Sequence, residues 1–357
     1  MTTSRESLSD AYEVLRRGGV LPWPRRARIA VRGRDRAAFL HSFCTNDIKR
    51  LTVGQTCEAF FCQAQGRIVG HGFIECQADQ LVIDTVAGQA APLIGHLDRY
   101  LIREDVQLVE VDDATPRWLF SGAAGTGLSQ IEKDAGEAEG TATKTELAGR
   151  QVTMARCPWE AEARSFLVAS ATDDPLTSDW ANAVCQRIRD QARCDGGAEA
   201  EVASGAFLLD ETAFELWRIM HVFPLYGRDI TTDNLPQEVG RDARAISFNK
   251  GCYLGQEPVA RIDSLGHVNW ELVSVIVPGA QAVPPWTPGS VLTAGDKPAL
   301  RLTSVIPLPA LRGLAGLGYV RRELRRLARP QLSCPVAEGV LVTSAGDVLL
   351  NPSVFSS

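Results

Sequence analysis

Asn249-Lys250-Gly251-Cys252-Tyr253-Leu254-Gly255-Gln256-Glu257-Pro258-Val259-Ala260-Arg261-Ile262 is the most unusual stretch of the chain. Two glycines bound a tight loop that presents a thiol. From Gln256 onward the segment reads as the first turns of a helix. Glu257 suits the positive end of a helix, and Pro258 is tolerated in a first turn, where its missing N–H has no partner to lose. A thiol beside a helix N-terminus and a lysine ammonium ionises more readily and can act as a thiolate. The other reading is a structural cysteine in a glycine turn, since isolated cysteines are mostly inert. From these residues alone the two readings balance. Of 37 basic residues, only Lys49, Lys133, Lys144, Lys250 and Lys297 are lysine. A lysine kept in an arginine-rich chain points to a need for a compact ammonium rather than a guanidinium fork.

Upstream, Arg28 to Arg32 alternates as a strand, and GRDRAAFLHSF from Gly33 predicts a helix with Ala37, Phe39 and Leu40 facing a core. Thr45-Asn46-Asp47 ends that helix in a turn. Residues 56–62 and 67–75 read as a hairpin closed by Gln63-Ala64-Gln65-Gly66. Leu81–Val86, Val106–Val111 and Trp118–Phe120 read as strands. Leu93, Leu97, Tyr100 and Leu101 fall at helical spacing, as do Trp180, Val184 and Ile188. Ser9–Arg17 and Phe207–Met220 also predict helices. Residues 121–150 fit either a surface loop or a poorly patterned helix. After Trp270, short β-type runs alternate with Pro/Gly turns, the texture of a small all-β barrel or sandwich. The pattern is therefore α+β followed by β.

A length of 357 residues predicts two or three domains. Hydrophobic residues at 45% and charged residues at 22% exclude a disordered chain, a collagen-like fibre and a disulfide mini-scaffold. A net charge of −6 disfavours a protein that coats nucleic acid. Arg321, Arg322, Arg325, Arg326 and Arg329 would share a face if helical, and in an acidic chain a solvated face is the expected use. No stretch reaches the apolar length of a membrane span. The N-terminus has no apolar signal core and carries Glu6, Asp10 and Glu13. A cytoplasmic protein without membrane contact is expected. The nine cysteines form no C-x-x-C pair and no zinc spacing, so no metal held by this chain alone is expected.

FNKGCYLGQEPVARI resembles the K-G-C-Y-x-G-Q-E signature of the YgfZ family, the folate-binding, iron–sulfur-assembly branch of the glycine-cleavage T-protein superfamily. The match falls on Lys250, Gly251, Cys252, Tyr253, Gly255, Gln256 and Glu257. GRDRAAFLHSFCTND resembles the superfamily's opening motif, with Arg36 where alanine is usual. AQGRIV resembles its hairpin turn, FPLYGRDITTDNLPQEVG the stretch before the signature, and HVNW and LTSVIP pieces of its C-terminal barrel. The resemblance implies a T-protein-like folate-binding α+β body of two interleaved subdomains plus a C-terminal β-barrel. Mapped onto this chain, residues 1–24 are an N-terminal helix and extension. Residues 25–268 are the body, with an internal boundary near 115–150, and 269–357 the barrel.

The resemblance further implies tetrahydrofolate as ligand. Cys252 and Lys250 would be the working residues of the loop. Phe214 would stand against the folate and Glu238 on the pterin edge. Tyr253, Gln256, Glu257 and Arg261 would complete the site, with Arg261 on the folate tail or holding the Cys loop. Plain core packing for Phe214 and a helix cap for Glu238 are equally open. Arg26 stands where relatives have a second aromatic, and Trp23 is the nearest one. The implied function is that of an accessory protein for assembly or repair of iron–sulfur clusters, supporting enzymes such as tRNA methylthiotransferases. Its partners would be iron–sulfur client enzymes or cluster-assembly proteins, and the protein would be a monomer that does not bind nucleic acid directly. The rival is a tetrahydrofolate-dependent aminomethyltransferase, whose chemistry wants a buried carboxylate beside the folate nitrogens. In T-proteins that acid follows the strand matching LVIDTV. No acid occurs here from Thr85 to Leu97, and Asp84 is the one nearby substitute.

Overall fold

The hairpin of residues 56–75 forms one end of the first sheet. The chain was analysed as a computed structural model. It describes residues 19–111, 115–131, 142–157, 165–195, 208–277, 286–294, 297–308 and 313–325, with short strands at 333–334, 337–338 and 341–343. The helix expected at Ser9–Arg17 lies outside the described residues, as do Phe207, Arg326 and Arg329.

Five antiparallel strands make the first sheet: β2 (Arg26–Arg32), β3 (Thr56–Cys62), β4 (Ile68–Cys76), β5 (Leu81–Val86) and β6 (Gln107–Val111), in the order β3-β4-β5-β2-β6. Their apolar face is covered by two helices, α1 (Arg36–His41) and α2 (Ala90–Asp98). Phe39 and Leu40 of α1 and Leu93 and Leu97 of α2 pack on Ile29, Ile74 and Ile83 of the sheet. Helical spacing thus supplied one lining and strand alternation the other.

The second sheet has the order β1-β7-β10-β9-β8. It contains β1 (Val20–Trp23), β7 (Arg117–Phe120), β8 (Ala142–Leu147), β9 (Arg150–Arg156) and β10 (Phe166–Ser170). Helices α3 (Ala123–Ile131) and α4 (Ser178–Asp195) cover it, with Trp180, Val184 and Ile188 facing the sheet. Two expectations change here. Residues 20–23, mapped to an N-terminal extension, form an edge strand paired with β7. Pro22 gives no strand signal, but it is tolerated on an edge where its missing N–H costs no ladder bond. The segment 121–150, which fitted loop or helix, holds both a helix and the polar edge strand β8. Edge strands bury little, so their sequences carry weak alternation.

The described residues from Trp270 onward form a seven-stranded antiparallel sheet that includes β11 (Trp270–Val277), β12 (Val291–Ala294), β13 (Lys297–Leu308) and β14 (Gly313–Arg321). Helix α5 (Glu211–Met220) joins all three sheets. Asp210 caps it, its carboxylate accepting the Ala213 N–H at 3.0 Å. Phe214 and Trp217 of α5 share one apolar cluster with Leu21 of the second sheet, Phe60 of the first, and Leu272 and Leu317 of the third. Arg218 is fully buried in the same place. It donates to Asp229 at 2.8 Å and to Ser304 of β13 at 2.7 Å, so an ion pair holds α5 to the segment after it and a hydrogen bond holds it to β13. The fold is a T-protein-like α+β arrangement of antiparallel sheets. Among the described residues no helix is long and apolar enough to cross a membrane.

Candidate functional site

The signature loop is gripped from three directions. Lys250 is buried, and its ammonium donates to the carbonyls of His41, Cys44 and Asn46 at 2.6, 2.7 and 2.9 Å. The Tyr253 ring lies 4.9 Å from the same nitrogen. Three tetrahedral N–H donors match three converging carbonyls, which a planar guanidinium cannot do. Burial pulls the Lys250 pKa down. The expected role as a free ammonium beside the thiol is therefore corrected: all three donors of Lys250 are committed to the turn after α1. Its task is to pin the loop.

The Thr-Asn-Asp turn supplies the second grip. Thr45 Oγ donates to the Ala245 carbonyl at 2.6 Å and accepts the Phe60 N–H at 2.9 Å. Asn46 Nδ2 donates to the carbonyls of Glu58 and Arg244 at 2.8 and 2.7 Å. The Leu254 N–H donates to the Ser42 carbonyl at 2.9 Å. The third grip is the β3–β4 turn. Gly255 sits at φ 83°, and a Cβ there would lie 2.5 Å from the Gln63 carbonyl oxygen. The turn packs on Gly255 and Pro258 at the start of α6 (Gln256–Leu265). Three motifs far apart in sequence therefore meet at one loop.

That anchored loop leaves Gly251 and Cys252 exposed. Cys44, Cys62, Cys157 and Cys185 are buried, Cys57 and Cys76 half-buried, and Cys194 is the other exposed thiol of those described. Burial pushes the Cys62 thiol up to about 12 and the Cys185 thiol up to about 11. Tyr253 is buried and Gln256 accepts its N–H at 3.3 Å, so both shape the loop from inside. Glu257 and Arg261 are exposed on α6.

A cavity of about 940 Å³ opens between β1, the β5–α2 turn and α5, within the size range of small-molecule sites. Phe214 and Trp23 form its aromatic wall, their rings edge-to-face at 5.3 Å. Phe214, Trp23 and Arg26 all line this cavity. Lys250, Tyr253, Gln256, Glu257 and Arg261 are not among its lining residues. Neither is Glu238, whose carboxylate accepts the Leu235 N–H at 3.0 Å and caps a helical turn. The acid of the cavity is Glu215, next to Phe214 on α5. Burial opposes its ionisation, but Arg218 at 2.8 Å and Arg228 at 2.9 Å hold it below the usual carboxylate range. Glu215 and Arg228 were missed in the sequence. Adjacency to Phe214 is the only signal for the first, and nothing local marks the second.

Asp84, the candidate substitute acid, is occupied. Arg26 and Arg117 contact its two oxygens at 2.6 and 2.8 Å, with Arg28 at 3.9 Å. Burial opposes ionisation, yet the guanidiniums hold it below the usual range. The cavity and the Cys loop share one element. Gln89 and Tyr226, both lining residues, donate to the carbonyls of Val69 and Ile68 at 3.3 and 3.4 Å. These carbonyls open β4, just after the turn that seats Gly255. Of the arginines in the 321–329 stretch, Arg321 lies in a strand rather than a helix. Arg321 ends β14, donating to the Pro298 carbonyl at 2.6 Å, and Arg322 faces Glu271 at 3.8 Å.

Antiparallel sheets joined through α5 define a T-protein class of fold, with a cavity at their junction and an anchored glycine loop as the candidate site. Residues 7–164 match the GCVT N-terminal domain family. The chain is similar to relatives that include proteins named YgfZ and IBA57. It is 27% identical over 304 residues to a chloroplastic protein of Arabidopsis thaliana described as a transferase, covering 83% of this chain and 63% of that one. It is 27% identical to an iron–sulfur cluster assembly factor IBA57 homologue, mitochondrial, of Phaeosphaeria nodorum, covering 76% and 59%. It is 26% identical to the tRNA-modifying protein YgfZ of Vibrio vulnificus, covering 65% and 62%. The chain thus spans about three fifths of the length of these relatives. The solved structure of glycine cleavage system aminomethyltransferase T from Bartonella henselae shares the fold with a TM-score of 0.67. That likeness covers 94% of this chain and 88% of that one, at 16% identity.

Proposed function

We propose that this chain is a folate-dependent accessory protein for assembly or repair of iron–sulfur clusters, with Cys252 as its working thiol. The observation that carries the reading is the presentation of Cys252. A loop pinned by Lys250, Thr45, Asn46 and the β3–β4 turn leaves one soft sulfur in solvent, and a thiolate is an iron ligand and a redox group. The relatives named as an assembly factor and as a tRNA-modifying protein support the same direction, and iron–sulfur client enzymes or cluster-assembly proteins are the partners it implies.

Tetrahydrofolate fits the cavity. The Trp23–Phe214 wall suits a flat ring, the Glu215 carboxylate suits an amino-pyrimidine edge, and Arg25 suits a carboxylate tail. When bound, folate would supply a one-carbon carrier. The chain's own residues orient it and tie the cavity to the Cys loop through β4.

The rival reading is aminomethyl transfer, and its specific support is the shared fold with an aminomethyltransferase. Against it stand the acid-free β5–α2 turn and an Asp84 neutralised by arginines. Isothermal titration with tetrahydrofolate tests the ligand. Saturable binding is expected, weakened at least tenfold by Phe214→Ala and little changed by Glu238→Ala. No heat at millimolar folate contradicts it. In a reconstituted glycine-cleavage assay, turnover near the ordinary enzymatic scale of about 1 s⁻¹ would restore the rival.

A further inference from the structure

A second cavity, of about 450 Å³, is lined by residues of both the first and the second sheet. Strand alternation makes it. In β9 and β10 the large apolar residues Val152, Met154, Phe166 and Val168 pack with Val184 and Ile188 of α4. Thr153, Ala155, Leu167 and Ala169, one position along, line the cavity on the opposite face. Ala155 stands across from Ala142 of β8, which lines it too. Sheets packed face to face fill this layer with interdigitating side chains. Three alanines leave it open, at a size typical of small-molecule sites.

The first sheet and β7 bring charge to the same space. Arg28 of β2 donates to Glu75 of β4 at 2.9 Å, and Arg117 of β7 to Asp84 of β5 at 2.8 Å. Asp84 also holds Arg26 at 2.6 Å. Arg156, at the end of β9, adds a third guanidinium to the lining, against the two carboxylates Glu75 and Asp84. The lining is therefore cationic. Trp23, Phe73 and Leu167 give it flat and apolar surface. A planar apolar body that carries an oxyanion matches both features. Guanidinium forks take carboxylate or phosphate oxygens in pairs, and aromatic rings pack against a flat ring.

We propose that this inter-sheet cavity is a second binding site, for a small planar molecule bearing a carboxylate or phosphate. It meets the cavity assigned to folate at Trp23, which lines both. The inference goes beyond the iron–sulfur reading and does not rest on it. Arg156 is the residue to change, because its removal leaves the Arg28–Glu75 and Arg117–Asp84 pairs of the lining in place.

Isothermal titration of the full-length protein with 1-naphthoate, 1-naphthyl phosphate and uncharged naphthalene-1-methanol tests the proposal. One ring system then carries each oxyanion in turn, or none. The better anion should bind with a Kd of about 1 mM or tighter, and about tenfold or more tighter than the alcohol. The tighter of the two shows whether the cavity takes a carboxylate or a phosphate. Arg156→Gln should weaken that anion about tenfold and leave the alcohol unchanged. Equal binding of anions and alcohol overturns the proposal.

Filling the space locates the site. Ala155→Leu and Ala169→Leu each put bulk into the cavity from the second sheet, and each should abolish anion binding while tetrahydrofolate still binds. Arg156→Gln adds no bulk, so it keeps the test open if overpacking unfolds the other two. Anion binding unchanged in all three variants overturns the site. Competitive displacement of the anion by tetrahydrofolate also overturns it, because the space would then belong to the folate cavity. Anion binding with no heat from tetrahydrofolate keeps this inference and removes folate from the proposed function alone.

Discussion

Lys250 illustrates how a residue's identity can be legible while its task is not. Its rarity in an arginine-rich chain marked it, but sequence proximity suggested the thiol as its partner. The structure turns the ammonium inward to carbonyls more than 200 positions away, at His41, Cys44 and Asn46. Long-range contacts of this kind leave no local periodicity to read. Each buried carbonyl stripped of its donor costs about 1–3 kcal/mol. Lys250→Met should therefore lower unfolding stability by about 3 kcal/mol or more in urea denaturation, and Lys250→Arg should recover only part of it. A loss below about 0.5 kcal/mol, the range of unstructured surface sites, would show that the contacts are idle. The two loop glycines should behave oppositely. Gly255→Ala places a Cβ 2.5 Å from a carbonyl oxygen at φ 83°, whereas the nearest atom to a Cβ at Gly251 is 4.0 Å away. Thermal melts should show a loss of about 1–3 kcal/mol for the first and within about 0.5 kcal/mol for the second.

Elements with one buried face were the readable ones. The helix ending at His41 and the helix around Trp180–Ile188 carry a clear period, because burial on one side imposes it, while the hairpin at 56–75, buried on both faces, was marked by its turn. Strand β8 escaped because, as an edge, it buries little, and β1 because it is four residues long, carries Pro22 and is buried on both faces. The acid of the cavity escaped for a related reason: Glu238 and Glu215 are equally plausible in sequence, and only the path of α5 decides that Glu215 faces the cavity while Glu238 caps a turn. The first sheet also holds a device no pattern announces. Glu58 of β3 is buried, lies 2.7 Å from His71 Nε2, and receives two bonds from Arg241 at 2.5 and 2.7 Å. Burial opposes its ionisation, but Arg241 and His71 prevail and bring its pKa from 4.5 to about 2. A folded pKa below the unfolded one adds stability above pH 4.5 that is lost as pH falls toward 2. Glu58→Gln should therefore be destabilised by about 3–5 kcal/mol at pH 7, where Arg241 and His71 lose the buried Glu58 carboxylate. The gap from the native protein should narrow steadily below pH 4.5 in pH-resolved thermal melts. A gap that stays constant down to pH 2.5 would mean that the pair contributes nothing through ionisation.

Across the whole molecule, three sheets meet at α5, and the meeting leaves both an aromatic-walled cavity and the route from it to the signature loop. The α+β class and the motifs were legible in the sequence. Their convergence was not, because Gly33–Asp47, Gln63–Gly66 and Lys250–Pro258 are brought together only by the closing of the first sheet against the segment before α6. The shared strand β4 predicts that ligand and thiol are coupled. Tetrahydrofolate should raise the melting temperature in proportion to its saturation and change the alkylation rate of Cys252. It should leave that of Cys194, on a distant helix, unaltered. The central claim is that Cys252 does the work of the protein rather than hold its shape. The direct measurement is complementation of a strain lacking its own family member, scored by the activity of an iron–sulfur methylthiotransferase. The native chain should restore that activity. Cys252→Ser, folded to the same melting temperature and binding folate equally, should leave it at the level of the deletion. Full rescue by Cys252→Ser would contradict the account, because a hydroxyl is neither a soft iron ligand nor a redox-active group.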